Sequence, residues 1–135
     1  MSWETNEKKL FEFLKELYIS DLKWSEDKYG CYDCFSVVKK LDIELKCRNT
    51  HYDSLIIEKL KYDRLIERSN QYETKPLYIN RTPKGVYVFN LKKREMEWSK
   101  RNLPKTSHFA QRSFVPKVIG YLDVNNCDKF IDFEQ

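Results

Sequence analysis

Glycine is scarce, with 3 residues among 135, and none of them builds a glycine-rich loop able to cradle phosphates. That excludes nucleoside-triphosphate chemistry of the phosphate-loop type. Histidine is scarcer still, with only His51 and His108 in the chain. Ser36, Ser54 and Ser107 show no His–Asp partnership, which argues against a serine hydrolase, and His51 reads as a cap or an exposed residue. The four cysteines are Cys31, Cys34, Cys47 and Cys127. Cys31 and Cys34 have zinc-like spacing but no second pair follows, so free thiols are the expectation and zinc would need Cys47, His51 or Cys127 to converge by folding. A nucleophilic Cys34 or Cys47 would need a base that the sequence does not display. No apolar run approaches the roughly 20 residues of a membrane helix, and the start, MSWETNEKKL, has no apolar signal core. The expectation is a cytoplasmic protein.

What is present suits one folded domain. Hydrophobic residues make up 41% and aromatics 15%, enough for a core despite 34% charged residues. The net charge of +4 is modest, but its distribution is uneven. Residues 84–117 carry Lys84, Lys92, Lys93, Arg94, Lys100, Arg101, Lys105, Arg112 and Lys117 against Glu95 and Glu97 alone, while residues 118–135 are net acidic. A local excess of that size suits a polyanion such as nucleic acid, or simply a solvated basic surface.

Along the chain, residues 5–18 carry Leu10, Phe13, Leu14 and Leu17 at helical spacing and read as an amphipathic helix. Residues 19–30 read as a connection. Residues 32–38 (YDCFSVV) and 41–47 (LDIELKC) read as two antiparallel strands joined at Lys39–Lys40. Residues 51–68 read as a helix on the strength of Leu55, Ile56, Leu60 and Ile66, and residues 69–75 as a polar loop. PLYIN (76–80) and GVYVFNL (85–91) read as strands around Pro83 and Gly85. Residues 92–101 could form a short helix, residues 103–114 read as a long loop, and 117–124 as a last strand or edge element. The order is α-β-β-α-β-β followed by a basic, irregular C-terminal region. The expectation is a single α/β (α+β) domain over 1–135, its core at 5–91 and its extension at 92–135, with helices flanking a central mixed sheet.

One stretch carries chemistry. In LDIELKCR (41–48), Leu41, Ile43, Leu45 and Cys47 fall on one strand face, and Asp42, Glu44, Lys46 and Arg48 on the other. Pairing through the turn brings Asp33 opposite the end that holds Glu44 and Lys46. Two carboxylates can hold a hard cation such as Mg²⁺, with the Leu45 carbonyl as a further oxygen ligand, and a lysine can orient water or stabilise a phosphate. A solvated face is the plainer alternative, yet under a covering helix those charges would cost several kcal/mol.

The pattern Asp33…Glu44-Leu45-Lys46, continued by IELKCRN, IIEKLKYDRLI and KPLYIN…GVYVFNL, resembles the PD-(D/E)XK nuclease superfamily, specifically its small phage-type or mobile-element-type members. The likeness spans residues 5–91, although no proline precedes Asp33, and Asp42 rivals it as the first acid. The resemblance implies a restriction-endonuclease-like fold and a deoxyribonuclease using Mg²⁺ or Mn²⁺. It implies metal ligands Asp33, Glu44 and Leu45, and Lys46 as the lysine assisting water and phosphate. A glutamate from the first helix, Glu16 ahead of Glu12, and Lys61 of the following helix would join the site. DNA would be held by Arg48, Lys92, Lys93, Arg94, Lys100, Arg101, Lys105 and Arg112, with Trp98, Phe109 and Phe114 able to stack on unpaired bases, whereas Tyr87 and Phe89 read as core. Many relatives are dimers, so a homodimer is a further expectation. The alternative is a catalytically inactive module on the same fold that binds nucleic acid or protein.

Overall fold

Helix α1 (Trp3–Leu17) opens the fold, and the computed structural model describes residues 3–26, 32–104 and 114–132 of the chain. Leu10, Phe11 and Leu14 recur at three- and four-residue spacing, so one stripe of α1 is buried. It packs on the apolar face of strand β3 (Leu41–Cys47), burying Leu41, Ile43, Leu45 and Cys47. The alternation expected of LDIELKC is therefore real.

The main sheet has six strands in the order β1-β2-β3-β5-β6-β9. Strand β1 (Lys23–Trp24) lies within the stretch expected to be a plain connection, and β2 (Cys34–Ser36) is shorter than the expected 32–38. Residues 37–40 form the hairpin turn, closed by Lys40 in the left-handed region at φ 56°. Asp21 holds that turn by accepting from the Ser36 hydroxyl at 2.6 Å and the Val38 amide at 3.0 Å. Strands β3 and β5 (Lys75–Thr82) run parallel, with Glu44 beside Tyr78 and Lys46 beside Asn80. Strand β6 (Gly85–Asn90) follows β5 as a hairpin, and β9 (Lys129–Ile131) closes the sheet antiparallel to β6. Gly85 sits at φ 145°, and a Cβ there would lie 2.4 Å from the Phe130 ring, so the close approach of β9 needs glycine.

Parallel β3 and β5 need a crossover, and here the chain differs from the expected helix over 51–68. Ser54–Glu58 is a strand, β4, and the helix α2 runs from Lys59 to Tyr72. Leu55 and Ile57 are buried and Ser54 exposed, which is the period of two of a strand. The expected polar loop at 69–75 is mostly the last turn of α2, stopped by Glu73 in the left-handed conformation with its amide bonded to the Ser69 carbonyl.

The C-terminal region is likewise ordered where it is described. The expected short helix at 92–101 is only a 3₁₀ turn over Leu91–Lys93, and Ser99–Pro104 is strand β7. Strand β8 (Phe114–Asp123) takes in all but the last residue of the expected 117–124 element, Val124 opening a 3₁₀ turn. Together β4, β8 and β7 form a second antiparallel sheet. It closes a second core with α2 over the far face of the main sheet, around Leu55, Ile57, Leu65, Tyr78, Phe89 and Leu122. The β3 face that carries Asp42, Glu44 and Lys46 is thus covered as well, opposite the face under α1.

Candidate functional site

Strand β2 ends before β3 does, and the site forms in that step. The Asp33 amide still bonds the Ile43 carbonyl at 2.8 Å, the last rung of the hairpin. One step further, the Leu45 amide finds no β2 backbone and donates instead to Asp33 Oδ2 at 2.7 Å. This bond fixes Asp33 beside Glu44, close enough for each carboxyl group to shift the ionisation of the other. A strand residue sends its N–H and C=O to the same side, so the Leu45 carbonyl faces the Asp33 side as well.

Glu44 is only 10% exposed at its side chain. Burial and the charge of Asp33 push it up to about 8, and Lys61 Nζ, 3.2 Å from Glu44 Oε1, does not offset them. Lys61 is 45% exposed, so solvent weakens its half of the pair. Burial raises Asp33 too, against the Leu45 amide and Lys61. Two acids held together out of water cannot both ionise cheaply, and they share a proton instead. Lys61 is raised as well: burial would lower it, but the charge and hydrogen bond of Glu44 outweigh that. Lys46, half-buried on the same face, is lowered by burial and by the positive charges of Lys61 and Arg48.

Of the residues expected in the site, Asp33, Glu44, Leu45, Lys46 and Lys61 come together. Glu16 is exposed near the C-terminal end of α1. The α1 acid whose charge reaches Glu44 and Lys46 is Glu7, nine residues and about 13 Å up the helix axis. Sequence reasoning passed over it because Glu7 reads first as a helix N-terminal acid. Asp42, the rival first acid, serves a different purpose. It is 2% exposed, 3.3 Å from Arg68 Nε, and accepts from the Thr74 hydroxyl at 2.5 Å. Arg68 in turn lies between the rings of Tyr32 and Tyr72.

The cations expected to touch DNA divide. Arg48 points inward, donating to Asn80 Oδ1 at 2.9 Å, the Ile56 carbonyl at 2.7 Å and the Tyr78 hydroxyl at 3.2 Å. Arg94 is tied to Asp128 at 2.8 Å and to the Asn126 carbonyl at 2.7 Å. Lys92 and Lys93 are exposed, and Lys92 reaches the Thr74 carbonyl beyond the C-terminal end of α2. Lys100 and Arg101 are exposed on β7. Lys105, Arg112 and Phe109 lie outside the described residues. Trp98 packs edge-on against Tyr62, and Phe114 is exposed.

Cys31 also lies outside the described residues, while Cys34 and Cys47 are buried free thiols. Burial pushes both thiols up, Cys47 to about 11, so neither is primed as a nucleophile. His51 meets the Thr82 hydroxyl at 2.8 Å and Asp53 at 3.2 Å, and its ring lies tilted against Tyr87. Among the described residues no three His, Cys, Asp or Glu side chains cluster. Two carboxylates and a backbone carbonyl nevertheless fit Mg²⁺ or Mn²⁺, since Mg²⁺ takes one or two carboxylates and fills its remaining positions with water and phosphate oxygens. Among the described residues no helix is long and apolar enough to cross a membrane.

No protein-family profile and no curated protein sequence matches the chain. Among solved structures it is similar to Hjc of Archaeoglobus fulgidus, a Holliday junction resolvase from an archaeal hyperthermophile, with a TM-score of 0.59 and 14% identity. The likeness covers 98% of this chain and 93% of that one. With its central mixed sheet and its helix–hairpin–helix order, the chain has the restriction-endonuclease-like fold.

Proposed function

We propose that this chain is a divalent-metal-dependent nuclease that hydrolyses DNA phosphodiester bonds. The observation that carries the reading is the meeting of Asp33 and Glu44 where β2 ends, Asp33 fixed there by the Leu45 amide, with Lys46 on the strand face of Glu44. Asp33 satisfies the Leu45 amide, but nothing in the hairpin calls for a second acid, Glu44, beside it, and both are pushed away from ionisation, so the place favours an added positive charge. The fold shared with a resolvase supports DNA as the substrate class.

Asp33, Glu44 and the Leu45 carbonyl would hold Mg²⁺ or Mn²⁺. Once bound, the ion would supply charge stabilisation at the phosphate and a lowered pKa for a bound water. The residues do the rest. Asp33 and Glu44 give up their shared proton on binding the ion. Lys46, whose charge burial and its cationic neighbours make easier to lose, orients the attacking water and donates to a phosphate oxygen. Lys61 is held by Glu44 within reach of the same phosphate. Glu7 adds a negative charge that holds Lys46 in place from the α1 side. The reaction is a direct hydrolysis with no covalent intermediate.

The test is cleavage of supercoiled plasmid, labelled single-stranded DNA and a synthetic four-way junction, each with Mg²⁺, Mn²⁺ or EDTA. Metal-dependent cutting is expected, lost in Glu44→Ala and in Lys46→Ala. Salt-sensitive DNA binding without cutting under either metal would replace the nuclease with a binding module on the same fold.

A further inference from the structure

The second sheet is uneven. Strand β4 pairs only with residues 119–123 of β8, whereas β7 pairs with 114–119. The outer half of β8 and all of β7 therefore extend past β4 as a two-stranded antiparallel ribbon. From the geometry and charge of this ribbon we infer that it is the arm with which the molecule grips double-helical DNA beside the acidic site. The inference rests on reading that site as a nuclease and names the form of its substrate.

Three observations carry it. First, Ser99–Pro104 and residues 114–118 contain Lys100, Arg101 and Lys117 and no acidic residue. Second, the register makes the ribbon positive on both faces. Arg101 and Lys117 are direct cross-strand partners on one face, while Lys100, beside Val118, projects from the other. Lysines on an edge strand can serve only to keep other strands away. That role does not call for two cations opposed on one face, an arrangement that costs stability on its own. Lys117 is partly relieved by Glu58 at 3.0 Å, and Arg101, exposed, donates to the Tyr121 hydroxyl. A ribbon charged on both faces suits a slot walled by anions on both sides. The major groove of B-DNA is such a slot, and it is wide enough for a two-stranded ribbon.

Third, the root of the ribbon is fixed to the site. Glu58, the partner of Lys117, is the N-cap of α2. Trp98, just before β7, packs against Tyr62 and under Lys59 of the first turns of α2. It lies so close to Gly120 that a Cβ there would meet its ring at 3.0 Å. Lys61, on the same turn of α2, is the residue bonded to Glu44. DNA held on the ribbon is therefore delivered to the end of α2 where Asp33, Glu44 and Lys46 lie. Lys92 and Lys93 sit by the opposite end of that helix.

The experiment is a salt titration of binding to a short labelled duplex and to a single strand of equal length, by fluorescence anisotropy in EDTA. Wild type is compared with the exposed double variant Lys100→Ala/Arg101→Ala. Each phosphate contact contributes about 0.9 to the slope of log K against log salt for B-DNA. The variant should lose about 2 from its slope and at least about tenfold in duplex affinity, with its circular dichroism and its Mn²⁺ affinity unchanged. If wild type binds and cuts DNA while the variant keeps the full slope, the ribbon inference is wrong and the nuclease stands. A loss confined to single strands would equally overturn a duplex-gripping arm. Absence of both binding and metal-dependent cutting in wild type would overturn the two together.

Discussion

A glutamate that is one-tenth exposed, set beside an aspartate and paired with a lysine leaves a mark on stability that pH can read. Glu44 titrates near 8 in the folded chain against an ordinary 4.5. Between those values the folded state holds a proton that the unfolded state has released. Its contribution to stability is therefore full below about pH 4.5, falls as pH rises, and is gone above about pH 8. Above that the buried charge is a cost, and Glu44→Gln removes it while keeping shape and one hydrogen-bonding oxygen. The variant should be more stable than wild type by about 1–3 kcal/mol at pH 9 without metal, with the difference vanishing near pH 4.5. Urea unfolding at both pH values measures it, and equal stabilities at pH 9 would mean that neither burial nor Asp33 raises Glu44 in the folded chain. The same variant should not cut DNA, which separates a residue kept for chemistry from one kept for folding. The sequence foretold this residue because the Glu-x-Lys spacing fixes two side chains on one strand face. Glu7 left no comparable signal, since its approach depends on how α1 lies across the sheet.

At the scale of elements, Asp42 ties α2 to β3 through Arg68 and the Thr74 hydroxyl. It shares the charged face with Glu44, yet its work is structural. Asp42→Ala would leave a half-covered guanidinium and a hydroxyl without their acceptor, a loss of about 2–4 kcal/mol. Cleavage per folded molecule should stay near wild type, because the Asp33–Glu44 pair is untouched. A drop in activity at a temperature where the variant is fully folded would move Asp42 into the site. The elements that were legible in the sequence are those whose apolar residues fall on one face: α1 shows its stripe and β3 its alternation of apolar and charged residues. Strand β4 was not, because Leu55, Ile56 and Leu60 also satisfy a helical period and no glycine or proline separates β4 from α2. Strand β7 was hidden for another reason, and β8 was legible only from residue 117 onward. The partner of β8 on one side, β4, lies more than fifty residues upstream, β7 pairs with β8 on the other, and one face of that pair carries Arg101 and Lys117 where apolar residues would mark a core strand.

For the whole molecule, the two cores lie on opposite faces of one sheet, and the acid pair sits where the β2 edge stops short between them. That placement couples metal binding to global stability. A cation that binds only the folded chain stabilises it by RT ln(1 + [L]/Kd), about 2.7 kcal/mol at a hundredfold excess over Kd. For a domain of this size the midpoint of thermal unfolding should rise by roughly 6–10 °C. Because the ion must displace the proton shared by Asp33 and Glu44, the rise with Mg²⁺ or Mn²⁺ should be larger at pH 8 than at pH 6. Scanning fluorimetry on wild type and Glu44→Gln at both pH values reads this directly. The wild-type shift should grow with pH while the variant's stays near zero. Equal shifts in the two proteins would place the cation elsewhere on the surface. In that case the buried acids would be a pH-dependent liability of the fold, and the nuclease reading would lose the observation that carries it.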